Sequence, residues 1–355
     1  MSVWSSKTFG LMGGLSSAGP AIRAGSKFGV GTVAGISVLA GVGSAVVTLI
    51  RQAVTATRVI EAAAVNAALA EGTLVPPSVP GATLAQQRAS DLLAQIQLPQ
   101  GDGVYSPDGH VLPEGLQDDD FLTLVMLGDS TSVGYGTTHA DDLPGVILAL
   151  GVADHLDRPV RLRSHGLTGA TSADLPRQLD LCLAEAPDAV VILVGANDIR
   201  DMVPPWRSAA QLGATVAKLT SRRIPVVVGT CPDFGVITPI PQPLRSMLSQ
   251  WSLRLAVLQE RAVTDAAGRA VAIAKLVSPQ FVDRPDLFAP DRFHPSGAGY
   301  RRAMDVLLPA LIEELAARPL RHELPDRFAT SCRTRSRPCT TLLPPDLPRH
   351  CGSGQ

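Results

Sequence analysis

The most constraining feature of this chain is a rhythm between residues 121 and 318. Short apolar runs recur there: FLTLVML (121–127), VRLRS (160–164), AVVILVG (189–195), PVVVGT (225–230) and AVAIA (270–274). Helix-like segments separate them, around 143–156, 172–185, 207–222, 243–267 and 297–317. A strand buried on one face alternates apolar and polar residues, whereas a nearly continuous apolar strand is covered on both faces. Repeated strand-then-helix units of this kind predict an α/β domain whose parallel sheet has helices on both sides. In that architecture ligands bind beyond the carboxyl ends of the strands.

The flanking segments have a different character. From Phe28 to Ile50 the sequence runs 23 residues without a charge, preceded by Lys7, Arg23 and Lys27 and closed by Arg51. At about 1.5 Å per residue a helix of that length spans a hydrocarbon layer of roughly 30 Å. Residues 1–27 read as a basic leader and 28–50 as a transmembrane signal anchor. The apolar run is longer than the ~7–15 residues of a cleaved signal peptide. This arrangement predicts a single-pass anchor in the cell membrane with the bulk of the chain extracytoplasmic, and secretion as the alternative. Residues 51–120 read as a linker with short helices, one over RVIEAAAVNAALA and one near 84–96, followed by the turn-rich GDGVYSPDGH. The run Asp118-Asp119-Asp120 lacks the alternating ligands and glycine of a calcium loop and is read as solvated. From Pro319 onward the chain is rich in Pro and Arg without periodicity, which predicts a disordered tail over 319–355.

Composition excludes one class of partner. The formal net charge of −1 gives no basic footprint for a nucleic acid. Asparagine occurs only at positions 66 and 197, so its placement in GAND carries information.

Two loops carry the chemistry. The first apolar run ends on GDSTS, which presents Ser130 where the strand stops, and DRFHPSGAGY near the far end places Asp291 and His294 three residues apart. One loop can hold a carboxylate against one imidazole nitrogen while the other nitrogen faces a serine. That is the nucleophile, base and orienting-acid set of acyl transfer. GDSTS departs from the G-x-S-x-G nucleophile elbow and lacks the Gly-Lys-Ser/Thr of a phosphate loop, so neither of those families is indicated.

GDS after the first strand, GLTGATSADL after the second, GAND after the third and DRFH before the last helix resemble, in order and spacing, the four blocks of the SGNH or GDSL-type hydrolases. The resemblance covers residues 121–318. It implies a flavodoxin-like three-layer α/β/α fold, here with a five-stranded parallel sheet, and serine ester hydrolysis or acyl transfer without a cofactor or metal. It also implies an oxyanion hole built from the backbone amides of Ser130 and Gly169 and the side chain of Asn197, with Gly166 as the competing glycine. Asp129 and Asp198 are read as braces of their loops, and His139 and His165 as surface or packing residues. Ser164 stands where the family often has asparagine, which removes a local brace. Cys182 and Cys231 are either buried thiols or a disulfide.

The sequence therefore predicts a membrane-anchored serine esterase or lipase acting on a small-molecule, lipid or glycan ester. Acyl transfer to, or deacetylation of, an envelope glycan is the alternative within enzymes. A noncatalytic envelope-binding protein on the same fold is the alternative outside them.

Overall fold

A computed structural model describes residues 30–71, 98–113 and 121–317, the side chains of 30–46 and 69 excepted. The leader, the helical stretch near 84–96, Asp118 to Asp120 and the tail from Pro319 lie outside the described residues.

The five expected strands form as β3 (Leu122–Gly128), β4 (Val160–Ser164), β5 (Ala189–Leu193), β6 (Val226–Gly229) and β7 (Arg269–Val271). All their mutual pairings are parallel. Two short strands absent from the sequence expectation precede them. β1 (Gly103–Tyr105) pairs antiparallel with β4, and β2 (Val111–Leu112) pairs antiparallel with β1. The sheet thus has seven strands in the order β2-β1-β4-β3-β5-β6-β7. The turn-rich GDGVYSPDGH read as linker is in fact an edge hairpin. Its strands are too short to show an alternation, which is why the pattern hides them.

Alternation within the strands explains the two-sided burial. On β3, Leu122, Leu124 and Met126 enter a core shared with α2 (Pro144–Leu156) and α8 (Gly297–Ala316). Val125 and Leu127 point the other way, into a core with α3 (Leu175–Ala184) and α5 (Pro205–Thr220). All five side chains are fully buried, each worth about 1.5–3 kcal/mol relative to exposure. The sheet consequently has no solvated face at its centre, and function is left to the strand ends. Among the parallel strands the chain starts at β3, crosses to β4 on one side, then returns to β5 on the other. The crevice at this reversal of strand order is where doubly wound sheets bind ligands.

One helix, α1 (Val30–Ala70), runs through Arg51 without a break. Most of the proposed anchor, residues 28–46, falls outside the described side chains. Among the described residues no helix is long and apolar enough to cross a membrane. Further along α1, Ala56 is buried in a third cluster with Ile199, Phe234 and Leu255. The Gln52 amide donates to Gln242 O (2.5 Å) and accepts from Leu244 N (3.2 Å), where α6 (Leu244–Asp265) begins. This part of the linker is docked on the domain.

Candidate active site

The site begins with a glycine that cannot be anything else. Gly128, the last residue of β3, has φ +132°, and a Cβ there would lie 1.8 Å from Leu193 O on β5. Gln178 of α3 clamps it from the other side, accepting from Gly128 N (2.7 Å) and donating to Gly128 O (2.9 Å). Asp129 then ties the loop across the crevice. Its Oδ1 accepts from Thr131 N (2.9 Å) and Thr131 Oγ1 (2.6 Å), and its Oδ2 from Gly195 N (3.2 Å). Between these fixed points stands Ser130.

Its partners arrive from the far end of the domain. His294 Nε2 lies 3.0 Å from Ser130 Oγ, and His294 Nδ1 lies 2.7 Å from Asp291 Oδ2. The Asp-x-x-His spacing works because the loop closes on itself: Asp291 Oδ1 accepts from Phe293 N (2.9 Å) and His294 N (3.0 Å). Burial pushes the Asp291 carboxyl upward, but His294 and the two backbone N–H groups together outweigh it and hold the group below its ordinary range. The imidazole is held by Tyr135, whose ring centroid is 4.5 Å away, and by Phe293 edge-on at 4.9 Å. Tyr300 OH donates to Tyr135 O (2.8 Å), so α8 fastens the serine loop to the histidine loop.

Gly169 and Asn197, expected as oxyanion donors, lie on the loops that follow β4 and β5. Gly169 lies in the loop after β4 at φ +85°, a conformation that favours glycine. At Gly166 a Cβ would meet Ser132 Oγ at 2.0 Å, so the lack of a side chain there lets the two loops pack. Asn197 is the second residue of the short helix α4 (Ala196–Arg200). Its Nδ2 donates one hydrogen to Ala170 O (2.9 Å), which sets the amide beside the Gly169 loop. That loop is closed by Thr171, whose N–H and hydroxyl both donate to Asp174 Oδ2 (2.8 and 2.9 Å).

The remaining expectations sort cleanly. Asp198 is fully buried and accepts from Ser172 N (3.0 Å) and Ser172 Oγ (3.1 Å), which braces the same loop. His139 is exposed, and His165 Nε2 lies 3.4 Å from Glu185 Oε1. Ser164 N donates to Asp102 Oδ1 (2.9 Å), so the segment before β1 supplies a brace at this position. Cys182 and Cys231 are buried thiols in separate clusters and form no disulfide. Burial, then Glu185, pushes the Cys182 thiol up to about 12, out of the reactive range.

Sequence reasoning missed the second tier: Gln178, Tyr135, Tyr300 and Gln259, which bonds Cys231 N (2.7 Å) and Val194 O (3.0 Å) at the ends of β6 and β5. A glutamine inside a helical pattern reads as surface. Only the packed structure reveals that these amides serve strand ends.

A family model described as GDSL-like lipase/acylhydrolase matches residues 126–302. The GDSL-like esterase Rv1075c of Mycobacterium tuberculosis is 40% identical over 259 residues, covering 71% of this chain and 79% of that protein. The chain belongs to the GDSL-like lipase/acylhydrolase family. It is a serine-type carboxylic ester hydrolase by that membership. Among solved structures, a lipase/acylhydrolase from Enterococcus faecalis is 23% identical, covering 58% of this chain and 100% of its own, with a TM-score of 0.43. An acetyl-xylooligosaccharide esterase from Geobacillus Stearmophilus is 18% identical, with the same coverages and TM-score 0.43.

Proposed function

We propose that this family member hydrolyses carboxylic esters through an acyl-enzyme on Ser130. The observation that carries the reading is the unbroken relay from Ser130 Oγ to His294 Nε2 (3.0 Å) and from His294 Nδ1 to Asp291 Oδ2 (2.7 Å). Ser130 Oγ attacks the ester carbonyl while His294 Nε2 takes its proton. The carbonyl oxygen becomes an oxyanion facing the amides of Ser130 and Gly169 and the second Nδ2 hydrogen of Asn197. His294 returns the proton to the leaving alkoxide. Water then attacks the acyl carbonyl while His294 takes one of its protons, and as the acid leaves that proton passes from His294 to Ser130 Oγ. Asp291 holds the Nδ1–H tautomer and stabilises the imidazolium formed at each step.

The same proposal puts the enzyme at the cell membrane, held by residues 28–50, with the catalytic domain outside the cytoplasm. The uncharged 23-residue run with basic residues before it supports this topology. Labelling with an alkyl fluorophosphonate tests the chemistry. One label per chain on Ser130, lost together with p-nitrophenyl ester hydrolysis in Ser130→Ala, is the expected result. Turnover that survives in Ser130→Ala overturns it.

A further inference from the structure

A cavity of about 110 Å³ starts beside the catalytic loops and runs inward between the sheet and α8. Thr131, Ala196 and His294, the neighbours of Ser130 and Asn197 and the base itself, line it. So do Leu193, Ile273, Phe281, Met304 and Leu307, all of them buried. The cavity therefore runs from the histidine side of the catalytic loops to the hydrophobic core, with His294 at the end next to Ser130.

Its wall offers a ligand little to bond with. Of the polar groups there, Asp129 accepts from Thr131 and Gly195, Asp233 Oδ1 accepts from Gly235 N (2.7 Å) and Ser249 Oγ (2.6 Å), Ser278 Oγ accepts from Asp233 N (3.0 Å) and Tyr300 OH donates to Tyr135 O (2.8 Å). Thr230 also lines it and has a buried hydroxyl without a partner among the described residues. One such hydroxyl is too few for an ordered water, which needs about 2–4 polar partners. An occupant without hydrogen-bonding groups, reaching in from the serine, satisfies these conditions.

We infer that this cavity is the acyl-chain channel, and that it takes a straight, saturated acyl group of medium length. The inference rests on the acyl-enzyme reading above and assigns its acyl side to the core behind the histidine loop. At roughly 10–15 Å³ of such space per water-sized atom, the cavity holds roughly eight chain atoms. Each methylene that leaves water adds about 0.8 kcal/mol, or roughly fourfold in kcat/KM. Bulky or polar acyl groups are excluded by the same walls.

The test is a series of p-nitrophenyl esters from acetate to dodecanoate, with rates referred to sites titrated by a short-chain fluorophosphonate so that only folded enzyme counts. In the wild type kcat/KM rises with chain length to about octanoate and then falls. Ala303 lies in the wall on α8, and Ala303→Leu fills the space of about three methylenes. It lowers the octanoate-to-acetate ratio of kcat/KM at least tenfold. Val277→Ala, elsewhere in the wall, moves the optimum to longer chains. A wild type that is labelled and cleaves acetate but shows no rise with length overturns the channel and leaves the serine mechanism standing, as does an unchanged ratio in both variants. A wild type that takes no label overturns the mechanism, and the channel with it.

Discussion

The side-chain amide of Asn197 donates to the carbonyl of Ala170 at 2.9 Å, joining the loop after β5 to the loop after β4. Nδ2 carries two hydrogens, so this bond both aims the amide and leaves one N–H for a developing oxyanion. The two functions are separable by measurement. Asn197→Ala should lower kcat by about 10²–10³-fold, with a smaller effect on KM, because the lost bond strengthens only in the transition state. Asn197→Asp should do no better near neutral pH. If either variant keeps wild-type kcat while its Tm falls, the residue is only a brace.

Asp291→Asn separates orientation from nucleophilicity. An amide can still accept from the N–H groups of Phe293 and His294 but presents a donor to His294 Nδ1 unless it flips, and favours the wrong imidazole tautomer. A kcat loss of about 10⁴-fold is expected, by analogy with the same change in a serine protease triad. Phosphonate labelling should slow in parallel. Labelling at the wild-type rate would mean that Asp291 does not orient the base.

Asp198 predicts a pH dependence of stability. Burial, its largest influence, raises the carboxyl despite the Ser172 bonds, and its Oδ1 has no partner among the described residues. A folded-state value above the unfolded one, about 3.9, means a stabilising contribution that is full in acid and lost as pH rises through the folded value. Asp198→Asn cannot titrate. The Tm of the wild type minus that of the variant should therefore fall as pH is raised from 4.5 to 7.5. A constant difference would show that the carboxyl does not titrate in that window.

Docking of α1 sets where the anchor can be removed. A cut after residue 46 keeps Gln52 and Ala56 on the domain, whereas a cut after residue 56 strips both. The shorter deletion should release active enzyme from the membrane fraction with an unchanged Tm, and the longer one should lower Tm. Full-length protein found in the soluble fraction without processing would end the anchor reading.

The sequence by itself determined the parallel core and the loops that carry Ser130, Asn197, Asp291 and His294. Both are local: strand periodicity is written in consecutive residues, and GDS, GAND and Asp-x-x-His each lie on one loop at a strand or helix end. Tertiary structure alone decided what holds those loops in place. Gln178 on Gly128, Tyr300 on Tyr135, Asp129 on Gly195 and Asn197 on Ala170 join residues 27 to 165 positions apart. Their contacts arise from the order in which strands lie side by side, which no window of sequence contains. The edge hairpin of β1 and β2 and the docking of α1 on α6 escaped for the same reason. Each is too short or too ordinary in composition to signal itself, and each exists because a neighbour distant in the chain offers unpaired backbone or an apolar seat.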